Sequence, residues 1–229
     1  MKTHPESRSR GSADAWSWLH LSALFWMPVV ATAAAPVASG TEIRQISFIP
    51  AGQDLHQLTA WIGATGNNHG KPFAIIDKKG AMLHVFDAAG ISRGSSPVLL
   101  GMAVGDESVP GIGERKMSEI RPAERTTPAG RFVSEPGLNL QGEDIVWIDY
   151  ESAVSMHRVR ASNKADRRLE RLATPTPADN RISYGCVNVP AAFYDAHIKP
   201  VFGVAHAVVY VLPETRSVSA FFGVASAMR

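Results

Sequence analysis

The sequence predicts a mainly β domain, a sandwich or barrel with a few short helices. Many short runs rich in Val, Ile and Phe alternate with Gly, Pro, Asn and Asp clusters, the punctuation of an all-β chain. Helical spacing is confined to a few short stretches. With 45% hydrophobic residues the chain can bury a core without disulfide or metal staples.

The elements follow in order. Asp54 to Ala64 places Leu55, Leu58 and Ile62 at helical spacing and ends in Gly66-Asn67-Asn68, a stop signal. Phe73 to Asp77, the turn Lys78-Lys79-Gly80 and Met82 to Phe86 read as a β-hairpin. A second turn, Asp87 to Gly90, leads towards a strand at Pro97 to Val104. Further strands are expected at Arg131 to Val133, Ile145 to Tyr150, Ala153 to Val159 and Ala207 to Leu212, and short helices at Lys164 to Leu172 and Ala191 to Ile198. Gly105 to Pro128 breaks the rhythm, with Pro110, Gly111, Gly113 and Pro122 and no period. A loop of that length reads either as a lid or binding loop or as a solvated insertion.

The N-terminus has the order of an export signal. Lys2, Arg8 and Arg10 precede an apolar run from Trp16 to Val30, and Ala31-Thr32-Ala33-Ala34-Ala35 follows. The run is about 15 residues, against roughly 20 for a bilayer span. Residues 1–35 are therefore expected to be a signal peptide, the alternative being an uncleaved anchor and the only membrane association. Either places the body in the periplasm or cell envelope. About 190 residues remain, one domain's worth: an accessory element at 41–70, a main domain at 71–213 and a tail at 214–229. A net charge of +2 gives no sign of a nucleic-acid partner.

The chemistry centres on the single cysteine, Cys186, in Ser183-Tyr184-Gly185-Cys186-Val187-Asn188. A lone thiol in an exported chain has no internal disulfide partner, so it is either an inert buried residue or a nucleophile. A thiol of ordinary pKa, about 8.5, is only slightly ionised at neutral pH and needs a base beside it. His56, His69, His84, His157, His197 and His206 are available in the body. His157, at the end of an expected strand, is well held yet accessible, but spacing alone does not single it out.

These residues resemble the L,D-transpeptidase (YkuD-type) family of cell-wall enzymes. The family signature is a histidine, a spacer, then Ser/Thr-His-Gly-Cys, an apolar residue and Arg or Asn. Ser183, Gly185, Cys186, Val187 and Asn188 match it, with His157 upstream. Ile76-Asp77-Lys78 with Leu83 to Asp87 resembles the family's opening hairpin, and Thr127-Pro128-Ala129-Gly130-Arg131-Phe132 its Thr-Pro-x-Gly-x-Phe segment. The resemblance runs in order from Pro72 to Pro213.

It implies an L,D-transpeptidase-type β-sandwich or barrel as the catalytic domain, with no cofactor and no metal. The implied substrate is the peptidoglycan stem tetrapeptide. Cys186 would attack the carbonyl before D-Ala, forming a thioester that an amine of another stem, or of an envelope protein, then takes. His157 would be the general base and acid, and the backbone carbonyl of Arg158 would orient it. Main-chain N–H groups of Tyr184, Gly185 and Cys186 would form the oxyanion hole. Ser183 and Asn188 would lie towards substrate.

The chain departs from the pattern at three places. Tyr184 stands where the family has a second histidine, so an imidazole role there is lost while the main-chain donor survives. The spacer from His157 to Ser183 is long and contains Thr174-Pro175-Thr176-Pro177, and Asn188 replaces the commoner Arg. Arg158, Arg160, Lys164, Arg167, Arg168 and Arg171 crowd the spacer. They read first as a solvated helix face and second as an edge that recruits carboxylates. Thr126, Thr127 and Arg131 read first as turn structure and second as substrate contacts. No His-Glu-x-x-His or second cysteine argues for a metalloenzyme, and no Gly-x-Ser-x-Gly for a serine hydrolase. The remaining rivals are a carboxypeptidase acting on the same bond and a non-catalytic envelope-binding protein.

Overall fold

The computed structural model describes residues 52–224. The expected signal segment at 1–35, the start of the expected 41–70 element and the end of the expected tail lie outside them. The expected hairpin is present as β1 (Phe73–Asp77) and β2 (Met82–Phe86), paired antiparallel. Asp77 caps its turn, accepting the N–H groups of Lys79 at 3.0 Å and Gly80 at 3.1 Å. β3 (Ser92–Pro97) adds to β2 at the sheet edge, where a polar Ser-Arg-Gly-Ser-Ser-Pro run is tolerated. The strand expected at Pro97 to Val104 shrinks to β4 (Leu100–Gly101), although Val98, Leu99 and Leu100 are all buried.

The remaining strands are β5 (Gly130–Leu138), β6 (Asp144–Asp149), β7 (Val154–Arg158), β8 (Arg181–Ser183), β9 (Val187–Val189) and β10 (Ala207–Val211). Eight of them form one sheet in the order β3-β2-β1-β10-β5-β6-β7-β9, and β4 pairs with β8 beside it. β5 changes partner along its length. Gly130 to Ser134 pair with β10, and Glu135 to Leu138 pair with β6. One strand thus carries the chain from one half of the sheet into the other.

The two halves close face to face. Ala74, Ile76, Leu83 and Val85 from one pack with Val146, Ile148, Met156, Val187 and Val189 from the other. This is the mainly β sandwich or barrel that the short apolar runs predicted.

Helix also covers the outer face of β1 and β10. α1 (Gln53–Thr65) sets Leu58 and Ile62 against Phe73, Ile75, Val208 and Tyr210. β1 and β10 pair in parallel and are covered on both sides, which explains their unbroken apolar runs. The expected helix at Lys164 to Leu172 begins as a 3-10 turn (Lys164–Asp166) and continues as α2 (Arg168–Ala173). The next begins as α3 (Ala191–Phe193), widens to a π-helical turn over Tyr194–Ile198 and ends as α4 (Lys199–Phe202). Pro200 offers no N–H to an ordinary helical ladder there. The segment from residue 214, read as tail, is built into the fold up to Val224. α5 (Val218–Phe222) buries Val218 in the outer core.

The segment Gly105 to Pro128 contains three 3-10 turns: Ile112–Glu114, Met117–Glu119 and Pro122–Glu124. Its start is pinned by Lys78, whose side chain is fully buried. The ammonium donates to Asp106 at 3.0 Å, to the Thr127 carbonyl at 3.1 Å and to the Gly105 carbonyl at 2.5 Å.

Candidate active site

Strand alternation builds the site. On β7, Val154 and Met156 face the core, so Ser155 and His157 face the other way. On β9, Val187 and Val189 face the core, which turns Asn188 away from it. The strands run parallel with His157 opposite Asn188 and Met156 opposite Val187. The residue before Val187 is therefore brought beside the residue before Met156. That pair is Cys186 and Ser155, with the thiol sulfur 3.6 Å from the Ser155 hydroxyl. The thiol also faces the Ala153 carbonyl at 3.7 Å.

His157 lies one step along the same face. Its Nδ1 is 2.8 Å from the Arg158 carbonyl oxygen. A carbonyl only accepts, so Nδ1 carries the hydrogen and Nε2 keeps the lone pair of a base. Burial pushes the Cys186 thiol up, but the hydrogen bond and charge of His157, with help from Ser155, more than offset it. The thiol therefore ionises below its ordinary value. Arg158 is itself fixed: its guanidinium pairs with Asp195 and with Asp144 at 3.1 Å and lies over the Tyr194 ring. Its carbonyl is thus a rigid post for the imidazole.

The turn before the cysteine is tightly held. Gly185 sits at φ +135°, and a Cβ there would lie 2.8 Å from the Thr126 carbonyl oxygen, so only glycine fits. The Ser183 hydroxyl donates to the Cys186 carbonyl at 2.6 Å and accepts the Gly185 N–H at 3.1 Å. The Thr127 hydroxyl, fully buried, donates to the Gly185 carbonyl at 2.7 Å.

These contacts bear on several of the expected roles. Gly185 was expected to supply an oxyanion donor, but its N–H is occupied by Ser183. The N–H groups of Tyr184 and Cys186 donate to nothing among the described residues. Ser183 and Asn188 were expected towards substrate, yet both are buried and spend their polar atoms internally. Asn188 donates to the Cys186 carbonyl at 3.2 Å and accepts from Arg168 at 2.6 Å. Tyr184 is half-buried, with the Arg125 guanidinium 3.8 Å above its ring.

Most of the basic cluster is paired within the protein, Arg168 and Arg171 through part-buried bonds. Arg160 meets Glu143, Arg167 meets Glu170, and Arg168 meets Asp166 at 2.9 Å. Arg171 donates to the Asp166 and Asp179 carbonyls. The other histidines stand elsewhere: His84 on Ser95, His197 on the Phe193 ring and His206 on Glu135. Sequence reasoning missed Ser155 beside the thiol and the bond from Arg168 to Asn188, having placed Arg168 only in the basic cluster. Ser155 carried a usable signal, since it precedes His157 by two and so shares its face. Arg168 carried none, because its contact with Asn188 spans the insertion.

No family model and no curated protein matches the chain. Solved structures do. One is an L,D-transpeptidase from Xylanimonas cellulosilytica, at 15% identity and a TM-score of 0.38, covering 62% of this chain and 60% of that one. Another is a helical cell shape determining protein from Campylobacter jejuni, at 12% identity and a TM-score of 0.42, covering 72% and 58%. A third is the catalytic domain of an Enterococcus faecium L,D-transpeptidase, at 16% and 0.33, covering 62% and 98%. The chain spans about half to three fifths of the first structures it matches. Many of the solved structures to which this chain is similar are L,D-transpeptidases.

Proposed function

We propose that the protein is a cysteine-dependent L,D-transpeptidase of the cell envelope, with residues 71–213 as its catalytic domain and peptidoglycan stem tetrapeptides as acyl donors. One observation carries the reading. Two parallel strands set Cys186 and His157 on one face, and the imidazole lowers the pKa of a thiol that burial alone would raise. An inert structural cysteine has no need of that arrangement. The ordered landmarks from the opening hairpin to the Ser183–Asn188 segment supply the substrate class.

The reaction uses these groups in turn. Nε2 of His157 takes the thiol proton, and the sulfur forms a bond to the carbonyl carbon before D-Ala. The oxygen that gains the electron pair is held by the N–H groups of Tyr184 and Cys186, each such donor contributing about 3 kcal/mol to the transition state. The tetrahedral species collapses, the C–N bond breaks, and the imidazolium returns the proton to the departing D-Ala amine. An acceptor amine then attacks the thioester along the reverse path. The acceptor is a stem side chain in a cross-linking enzyme, an envelope protein in an attaching enzyme and water in a carboxypeptidase. The export signal at 1–35 supplies the compartment where this substrate lies.

The test is the intact mass of the protein after mixing with a carbapenem, whose strained ring carbonyl acylates a competent thiolate. A single adduct is expected on the wild type and none on Cys186→Ala. A wild type that stays unmodified would remove the basis for an acyl-transfer enzyme and leave the binding-protein reading. Tetrapeptide-bearing muropeptides then decide the acceptor: cross-linked dimers mark transfer, and trimmed stems alone mark hydrolysis.

A further inference from the structure

The Thr127 hydroxyl makes two contacts that fix its proton. The Gly101 N–H donates to it at 2.9 Å, so the oxygen accepts there. The hydroxyl hydrogen is left to point at the Gly185 carbonyl, 2.7 Å away. The side chain is fully buried, so no water competes for either bond. Its own backbone is tied down too, since the buried Lys78 ammonium donates to the Thr127 carbonyl at 3.1 Å.

The Gly185 carbonyl and the Cys186 N–H belong to one peptide unit. In a trans peptide these two groups point in opposite directions. Holding the carbonyl on Thr127 therefore aims the Cys186 N–H to the opposite side. Gly185, at φ +135°, has no side chain to set this plane, and the segment is too short for a sheet ladder to set it. The following peptide unit is fixed separately, by Ser183 and Asn188 on the Cys186 carbonyl.

We infer that Thr127 is a positioning residue for the oxyanion hole: its hydroxyl orients the peptide plane whose N–H receives the developing negative charge. It never touches substrate. The inference rests on the acyl-transfer reading above and adds a residue that acts only when a carbonyl oxygen becomes anionic.

That condition supplies the test. Alkylation of Cys186 by iodoacetamide displaces iodide from a saturated carbon and forms no oxyanion, so its rate reports thiolate and access alone. Acylation by a carbapenem moves a carbonyl electron pair onto oxygen and needs the hole. Both rates are measured on the wild type, Thr127→Val, Thr127→Ala and Thr127→Ser, with thermal unfolding alongside. Thr127→Val and Thr127→Ala are expected to alkylate within about twofold of wild type and to acylate about tenfold or more slowly. Thr127→Ser is expected to recover acylation to within a few-fold. Equal acylation in wild type and Thr127→Val overturns the inference, as does a parallel loss of both rates or a Thr127→Ser that fails to recover. If the wild type alkylates but is never acylated, the acyl-transfer reading fails and takes this inference with it.

Discussion

At the scale of single residues the site is a balance around one sulfur. Burial opposes ionisation of Cys186, and His157 outweighs it. Removing the imidazole leaves the burial in place, so the thiol in His157→Ala should titrate at higher pH than in the wild type. The rate of iodoacetamide labelling against pH tests this directly: the wild-type midpoint is expected below that of an ordinary thiol and the variant's above the wild type's. Coincident profiles would mean that the imidazole does not act on the sulfur. Turnover in His157→Ala should fall by about two to four orders of magnitude with unfolding unchanged. Gly185→Ala meets two obstacles at once, a positive φ and a carbonyl oxygen at 2.8 Å. It should cost about 1–3 kcal/mol in urea unfolding and displace the nucleophile, so labelling should slow as well. Cys186 and Gly185 were legible because the Ser183–Asn188 run is local in sequence, whereas His157, far upstream, was singled out only by the family resemblance. The contacts of Ser155 with Cys186 and of Thr127 with Gly185 were not legible, because they depend on which segment lies beside which.

At the scale of elements, legibility followed length and polarity. Five-residue apolar runs such as β1 and β10 announced themselves, whereas β8 and β9 are three residues each and too short to show a period. β3 is polar and sits at an edge, so it lacked the pattern of a covered strand. α1 was read correctly as a helix, since Leu58 and Ile62 recur one turn apart. Its partners on β1, β10 and α5 lie more than ten residues away along the chain, and no local pattern names them. Leu58 is fully buried in that layer, so Leu58→Ala should destabilise the protein by about 2–5 kcal/mol. Chemical unfolding measures it. A loss under about 1 kcal/mol would mean that α1 is a dispensable cover rather than part of the packed domain.

At the scale of the whole molecule, one buried ion network joins segments that are distant in sequence. Lys78 in the β1–β2 turn meets Asp106 at 3.0 Å and Glu214 at 3.5 Å, and Arg181 of β8 meets Glu214. Asp106 also accepts the Glu214 N–H at 2.7 Å and the Thr215 N–H at 3.0 Å. A Lys-Lys-Gly turn reads in sequence as solvated, and only the folding of residue 105 and residue 214 over it makes Lys78 a core residue. Burial pushes the Asp106 carboxyl up, but Thr215, the Glu214 N–H and Lys78 more than offset it and hold the carboxyl well below the usual range. Its folded pKa therefore lies below its unfolded one. The stability it contributes is fully present above the ordinary carboxylate pKa and is lost as pH falls towards the folded value. Lys78→Met removes the cation and leaves two buried carboxylates facing each other, which should cost about 3–5 kcal/mol at neutral pH. It also raises the folded Asp106 pKa towards the unfolded one, so less stability is lost on acidification and the deficit against wild type should shrink as pH falls below the ordinary carboxylate range. Stability measured by urea from about pH 7 down to pH 3 distinguishes the cases. A uniform offset at every pH would show that Lys78 merely fills space, and two superimposable curves would show that the network does not hold the loop, the tail and β8 together.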